Sequence, residues 1–278
     1  MVRIAILDLY EGQPNQGMRC IRQIIQQWSD YHDVDVNVEE FDVRLKNEAP
    51  DLSYDLYISS GGPGSPLDSE GSEWEKTFFH WLEQVENFNN DLNQPVKKFI
   101  FFICHSFQLV CRHYGIGKVS QRRSTSFGVF PVHVTMEGQL DENLNGLRDP
   151  FYVVDSRDYQ LTSPDFKMIN DRGAKILCIE KYRPHVPLEQ AIMAIRLNDQ
   201  MIGTQFHPEA DPQGMSMYLQ MEEKKKIVIE QHGEEKWKSM IEQLNDPEKI
   251  RLTYSRILPN FLSIAAATAR QRREIVTV

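Results

Sequence analysis

The chain has 278 residues, of which 41% are hydrophobic and 26% are charged, a composition typical of a globular protein with a substantial buried core. Its net charge of −9 argues against nucleic acid as a partner, because nucleic-acid binding depends on neutralising phosphate charge. No apolar run reaches the roughly 18 residues of a membrane-spanning helix, so we also expect no membrane partner.

Strand and helix patterns alternate from the first residues up to Gly115. Short apolar runs, the pattern of buried strands, occur at 2–7, 34–38, 56–59 and 98–104. Helical spacing of apolar residues occurs at 16–28 and 74–85, and a further helix follows the fourth strand. This alternation predicts an α/β fold with a mostly parallel central sheet and helices on both faces.

From about Ser124 the pattern changes to antiparallel strands and then to helices. The strand patterns occur at 127–135, 151–154, 175–180, 191–197 and 201–206. The helical patterns occur at 214–231, 234–244 and 247–269. Pro259 should kink or break the last of these helices. We therefore expect one domain over residues 1–212 and a helical C-terminal extension, packed on it, over residues 213–278.

The cysteines and the first apolar run bear on the cellular location. The four cysteines form neither a CxxC motif nor any tight pair, which is typical of reduced thiols. The apolar run at 2–7 is too short for a targeting peptide and is interpreted as a strand. We therefore expect a cytoplasmic protein.

One cysteine stands where the fourth strand meets the following helix. On such a tight turn the Cys104 side chain is directed into a crevice, and the positive end of the helix favours the nucleophilic thiolate. The backbone N–H of His105 would point at a developing oxyanion. The alternative use of a cysteine is as a small buried apolar residue. We interpret the remaining three in that way: Cys20, Cys111 and Cys178.

A glycine-rich loop, Ser-Gly-Gly-Pro-Gly-Ser-Pro at 60–66, follows the third strand. Its glycines allow close approach of the backbone to a substrate. A phosphate-binding loop is not favoured, because no Gly-Lys-Ser/Thr sequence follows. The functional interpretation is that the N–H of Gly62 is a second oxyanion donor, and the alternative is a simple turn.

A histidine and a glutamate two residues apart follow the last strand. In extended chain His207 and Glu209 project to the same face. A carboxylate beside an imidazole fixes its tautomer and stabilises its charged form, which makes the base that a cysteine nucleophile requires. The alternative is a surface His and Glu in a turn.

In their order along the chain, these three motifs resemble those of the class I (triad-type) glutamine amidotransferases, including the glutaminase part of GMP synthase. The resemblance spans roughly residues 1–220 and implies a flavodoxin-like fold. It implies that Cys104 attacks the glutamine amide and forms a γ-glutamyl thioester. His207 would then protonate the leaving ammonia and activate water, and Glu209 would orient His207.

The same resemblance implies further roles. Gly62 and His105 would supply the oxyanion hole, and no metal or cofactor would be needed. Substrate-binding positions would be Gln108, Phe127 and Gly128. The segment 155–159 is interpreted as a loop near the amino-acid end of the substrate.

The chain departs from the family pattern around the nucleophile. The family usually has glycine two residues before and two residues after the cysteine, where this chain has Phe102 and Ser106. Serine is small enough for the turn. Phenylalanine must find space against a neighbouring strand or helix.

The sequence contains no P-loop and no second synthetase-like unit. The expected substrate is glutamine or a γ-glutamyl compound, and the expected ammonia acceptor is a separate synthetase or water. Two alternatives stay open: a γ-glutamyl peptide hydrolase with the same triad, and a non-catalytic binding protein on this fold. The sequence leaves open whether the chain forms a homo-oligomer.

Overall fold

The computed structural model describes residues 1–184, 188–246 and 249–276. Within these residues nine strands form one sheet. The strands are β1 (Val2–Asp8), β2 (Val36–Asp42), β3 (Leu56–Ser59), β4 (Phe99–Ile103), β5 (Lys118–Val134), β6 (Phe151–Thr162), β7 (Lys175–Glu180), β8 (Ile192–Arg196) and β9 (Met201–Thr204). Their order across the sheet is β2-β1-β3-β4-β9-β8-β7-β5-β6.

The sheet has a parallel half and an antiparallel half. Strands β2, β1, β3, β4 and β9 pair in parallel. Strands β9, β8, β7, β5 and β6 pair antiparallel. The predicted α/β architecture is confirmed, and the sheet is a mixed one.

Helices cover both faces of the sheet. In the described residues they are α1 (Gly17–His32), α2 (Val43–Lys46), α3 (Glu73–Asn90), α4 (His105–His113), α5 (Met136–Gln139), α6 (Phe166–Arg172), α7 (Pro212–Gln220), α8 (Glu222–His232), α9 (Glu234–Asn245), α10 (Ile250–Tyr254) and α11 (Ile257–Val276). None of them is both long enough and apolar enough to cross a membrane.

Strand periodicity divides the core between the two faces. On β4, Phe101 packs in the cluster that contains apolar residues of α1 and α11, whereas Ile100 packs in the cluster of α3 and α4. Successive side chains of a strand point to opposite faces, so a continuously apolar strand such as β4 must be covered on both. This double cover buries the middle of the parallel half and holds the ends of its strands in place.

The C-terminal helices pack in two separate places. Helix α11 lies on the main core, where Phe261 meets Phe101 edge to face with ring centroids 5.3 Å apart. Helices α7 to α9 pack on β5 and β6 through a smaller cluster, in which Met240 is buried against Val129 and Val154. The extension therefore contributes to the main core as well as covering the antiparallel half.

Several predicted boundaries are corrected. The predicted helix 214–231 is interrupted at Met221, between α7 and α8. Pro259 does not break a helix, because it lies in the first turn of α11, where backbone N–H groups have no intrahelical partner. The predicted helix 247–269 is interrupted just before Ile257 instead, between α10 and α11. Residues 247 and 248, at its predicted start, lie outside the described residues. The segment 155–159 is not a loop but part of β6.

Candidate active site

The carboxyl ends of the parallel strands bring the predicted motifs to one edge of the sheet. The glycine loop follows β3, Cys104 follows β4 and His207 follows β9. These three strands are consecutive neighbours in the sheet. Ligand sites of open α/β sheets lie at this edge, and the chain segments that carry the motifs meet there.

Cys104 occupies a strained turn between β4 and α4. Its backbone has φ +47° and ψ −95°, a region that residues with a Cβ rarely adopt. Its N–H donates to the carbonyl of Thr204 at 2.8 Å, which ties the turn to β9. The side chain of Cys104 is 5% exposed at the head of a nine-residue helix.

The two departures from the family's glycines are accommodated differently. The Ser106 hydroxyl accepts from the N–H of Ile103 and donates to the carbonyl of Ser59, both at 2.9 Å, so it joins β3 to the turn. Phe102 faces Gly203 of β9, its partner in the sheet register. A Cβ on Gly203 would lie 3.2 Å from the Cβ of Phe102. The space that Phe102 needs is therefore provided by a glycine on the neighbouring strand.

A partly buried His207 and a buried Glu209 form a pair beside Cys104. Nδ1 of His207 lies 2.8 Å from Oε1 of Glu209, whose side chain is 1% exposed. Burial lowers the pKa of His207, but the Glu209 carboxylate, the Cys104 sulfur and the hydrogen bonds to both outweigh it. The pKa of His207 consequently stands well above its ordinary value.

Gly61 lies where the histidine and the cysteine converge. A Cβ on Gly61 would lie 3.0 Å from Cε1 of His207 and 3.6 Å from Cβ of Cys104. Glycine at this position therefore leaves room for the histidine ring beside the nucleophile. The structure brings the three predicted triad residues and the glycine loop into one cluster.

The two predicted oxyanion donors have no competing backbone acceptor among the described residues. Neither the N–H of Gly62 nor that of His105 donates to another backbone group there. A Cβ on Gly62 would lie 2.4 Å from the carbonyl oxygen of Leu9, so only glycine fits. The fold thus leaves both N–H groups available for a ligand oxygen.

The His105 side chain is buried and does not compete with His207 as a base. Burial, followed by the charges of Arg44 and Arg112, lowers the pKa of His105 to about 3. Its ring is therefore neutral at physiological pH, and Nε2 has no hydrogen-bond partner within the part of the chain that the structure describes.

The three predicted substrate-binding residues lie on two different elements, α4 and β5. Gln108 is buried, and its Nε2 lies 3.1 Å from the carbonyl oxygen of Tyr159 and 3.2 Å from Oε1 of Gln205. Phe127 and Gly128 are on β5, paired with β6. Gln108 therefore supports the wall beside Cys104, whereas Phe127 and Gly128 pair with Ser156 and Asp155 of β6, of which Ser156 contacts the Cys104 sulfur.

Two groups contact the cysteine sulfur and were not predicted to do so, although one of them lies in the segment 155–159 that was expected near the substrate. The Cys104 thiol donates to the carbonyl oxygen of Ser156 at 3.8 Å, and Nε2 of Gln205 lies 3.9 Å from the sulfur. Ser156 contributes only backbone, which leaves no signal in residue identity. Gln205 lies two residues before His207, so its spacing was the available signal.

Tyr10 was also missed. Its hydroxyl lies 3.3 Å from where a Cβ on Gly61 would be, and a Cβ on Gly17 would approach it to 2.3 Å. Burial and then the charges of Glu209 and Cys104 raise the pKa of Tyr10 well above its ordinary value. A protonated phenol therefore stands next to the triad.

Within the described residues, no group of three or more His, Cys, Asp or Glu side chains could hold a metal ion.

Residues 16–224 match the family model "Glutamine amidotransferase class-I". The chain belongs to the class I glutamine amidotransferase family. Members of this family generally use a cysteine nucleophile to hydrolyse the side-chain amide of glutamine. The family model ends within α8, so α9 to α11 lie beyond it.

Solved structures share the fold of this amidotransferase at low sequence identity. A glutamine amidotransferase from Thermotoga maritima is 16% identical with a TM-score of 0.65, covering 95% of this chain and 97% of that chain. The glutaminase domain of CTPS from Trypanosoma brucei, with bound acivicin, is 13% identical with a TM-score of 0.57, covering 97% and 94%. A glutamine amidotransferase from Methylobacillus flagellatus is 14% identical with a TM-score of 0.56, covering 94% of each chain. No curated protein matches the chain by sequence.

Proposed function

We propose that this amidotransferase hydrolyses the side-chain amide of glutamine through a thioester on Cys104, and that it acts in the cytoplasm. One observation carries the proposal. Cys104, on its strained turn, and His207 meet at Gly61, and Nδ1 of His207 is held 2.8 Å from the buried carboxylate of Glu209. This is the arrangement that activates a sulfur nucleophile.

The first half of the reaction forms the thioester and releases ammonia. The Cys104 sulfur attacks the amide carbon, and the negative oxygen is stabilised by the N–H groups of Gly62 and His105. The carbon–nitrogen bond then breaks as His207 transfers the thiol's proton to the nitrogen. The products are ammonia and the γ-glutamyl thioester, and His207 is left neutral.

The second half hydrolyses the thioester. Neutral His207 takes a proton from water, and the resulting hydroxide attacks the thioester carbon. The carbon–sulfur bond breaks, glutamate leaves, and the proton on His207 again neutralises the Cys104 thiolate. Glu209 keeps the imidazole in one tautomer and stabilises its charged form in both halves.

The test is a glutaminase assay on the wild type and Cys104→Ala, with Cys111→Ala as the matched control. Cys111 is buried in α4 and free, so its loss removes a thiol without touching the triad. We expect ammonia release from the wild type and from Cys111→Ala, and none from Cys104→Ala. Ammonia release that survives Cys104→Ala contradicts the mechanism.

A second substrate class separates the alternatives. Turnover of γ-glutamyl peptides but not of free glutamine would identify a γ-glutamyl peptide hydrolase with the same triad. A wild-type protein that forms no thioester at Cys104 with either substrate would be a non-catalytic binding protein on this fold. Ammonia release by the isolated chain would show that glutamine is hydrolysed without a synthetase.

A further inference from the structure

Arg44 is a largely buried charge behind the glycine loop. It lies on the short helix α2, which begins after Asp42, whose carboxylate accepts from the N–H of Leu45 at 3.0 Å. The Arg44 side chain is 12% exposed, and its guanidinium stands over the ring of Trp74 at 5.1 Å from the centroid. A cation in such a position must have specific partners, because unpaired buried charge is costly.

The partners of Arg44 come from two loops at the active-site edge. Nη1 donates to the carbonyl of Pro63 at 2.7 Å and to the carbonyl of Leu9 at 3.3 Å. Nη2 pairs with the carboxylate of Glu11 at 3.0 Å. One guanidinium thus joins the loop after β1 to the loop after β3.

Ser60 adds a second connection between the loop after β1 and the loop after β3. Its hydroxyl accepts from the N–H of Leu9 at 2.9 Å and donates to the carbonyl of Gly61 at 2.8 Å. Ser60 is fully buried, so these bonds are not exchanged with solvent. Leu9 is therefore held at its N–H by Ser60 and at its carbonyl by Arg44.

These bonds fix the orientation of a single peptide group. The carbonyl of Gly61 and the N–H of Gly62 belong to the same planar trans peptide and point in opposite directions. The bond from Ser60 to the Gly61 carbonyl therefore directs the Gly62 N–H away from Ser60. Arg44 holds the carbonyl of Leu9, against which Gly62 packs. It also holds the carbonyl of Pro63, the residue after Gly62.

We propose that Arg44 and Ser60 are positioning residues that hold the Gly61–Gly62 peptide with its N–H directed at the oxygen of a carbonyl group under attack by Cys104. The inference deepens the proposed function and rests on it for the identity of the substrate. It concerns how the oxyanion hole is kept open, and neither residue touches the substrate.

The test separates acyl transfer from simple thiol reactivity. Acylation of Cys104 by p-nitrophenyl acetate passes through a tetrahedral oxyanion, whereas alkylation by iodoacetamide does not. The variants are Arg44→Met and Ser60→Ala, each compared with a matched exposed control. These controls are Arg22→Met, which removes an ion pair with Glu40, and Ser53→Ala. Cys104→Ala supplies the background rate.

We expect each variant to slow acylation by about 10- to 100-fold. A misplaced N–H donor should cost part of the rate that is lost when such a donor is removed altogether. Alkylation should stay within about twofold of the wild type, since the triad is unchanged. With glutamine, kcat should fall by the acylation factor while KM is unchanged, because the donor acts in the transition state. The controls should leave every rate unchanged.

Three outcomes would overturn the inference: unchanged acylation in both variants, a parallel loss of alkylation and acylation, or a wild-type Cys104 that is alkylated but never acylated. The proposed function fails by a different result. A wild type that is acylated by p-nitrophenyl acetate but hydrolyses no glutamine would contradict the substrate assignment. The ratio of acylation to alkylation would still decide the role of Arg44 and Ser60.

Discussion

At the scale of single residues, the backbone of Cys104 shows how the fold sets up a nucleophile. A non-glycine residue at φ +47° persists only where its surroundings hold it, and here the bond to Thr204 and the Ser106 hydroxyl do so. The strain directs the sulfur out of the sheet edge. The cost of that conformation should be measurable once the sulfur itself is removed.

We expect Cys104→Gly to be more stable than Cys104→Ala by about 1 kcal/mol, because only glycine adopts this φ without strain. Both variants lose the sulfur and its packing, so their difference isolates the backbone. Urea unfolding followed by circular dichroism measures it. A Cys104→Ala variant as stable as Cys104→Gly would show that the turn is unstrained.

His105 makes the stability of the protein sensitive to acid. The pKa of the folded residue is about 3, whereas an unfolded histidine titrates near 6.5. Between these values the unfolded chain binds one more proton, so the free energy of unfolding falls as the pH drops below about 6.5. His105→Leu should remove this part of the slope, about 1 kcal/mol per pH unit, in unfolding titrations at pH 7, 6 and 5. Identical slopes in the two proteins would contradict the assignment.

At the scale of elements, the pairing of β4 with β9 explains how Phe102 is tolerated beside the nucleophile. Gly203 lies opposite Phe102, and a Cβ there would also meet Phe107 of α4 at 2.9 Å. The small residue required around the turn therefore stands on β9 rather than within the nucleophile motif.

This exchange predicts a coupled pair of substitutions. Gly203→Ala should destabilise the protein by about 1–3 kcal/mol, since it overpacks a filled site. Phe102→Ala should recover part of that loss in the double variant, although it is destabilising alone. A double-mutant cycle from urea unfolding gives the coupling energy. Strictly additive effects would show that the two side chains do not compete for the same space.

The sequence predicted the strands and the three longer helices of the parallel half, because buried strands and amphipathic helices leave periodic patterns, but it missed the short helix α2. It missed the first part of β5, where the register with β6 shifts between Gln121 and Ser126 and alternation is lost. It missed the helix interruption at Met221 because neither glycine nor proline marks it. The contacts of Tyr10 and Arg44 were beyond reach, since they join loops from different strands.

At the scale of the whole molecule, the C-terminal helix is part of the main core. Leu258, Phe261 and Leu262 of α11 are almost completely buried in the cluster that contains Ile4, Ile6 and other residues of the parallel strands. The boundary proposed between residues 212 and 213 therefore marks a change in sequence pattern and does not separate two apolar cores. Both sides of it share one apolar interior.

Phe261→Ala should therefore lower the free energy of unfolding by about 3–5 kcal/mol, as large-to-small changes of buried phenylalanine do. Met217→Ala on α7 is the matched control, because its side chain is 53% exposed and its loss should change stability by less than about 0.5 kcal/mol. Urea unfolding measures both. Equal stability of the two variants would mean that α11 can leave the sheet without penalty.

The bond from Nε1 of Trp28 to the hydroxyl of Ser263 joins residues 235 positions apart, at the contact between α1 and α11. During synthesis, the first strands and α1 leave the ribosome long before their covering helix exists. Until α11 emerges, the face of the sheet that packs against α1 and α11 therefore lacks part of its cover. The main core is consequently completed only after α11 has been synthesised, and the interval before that is when chaperones have most of this surface to bind.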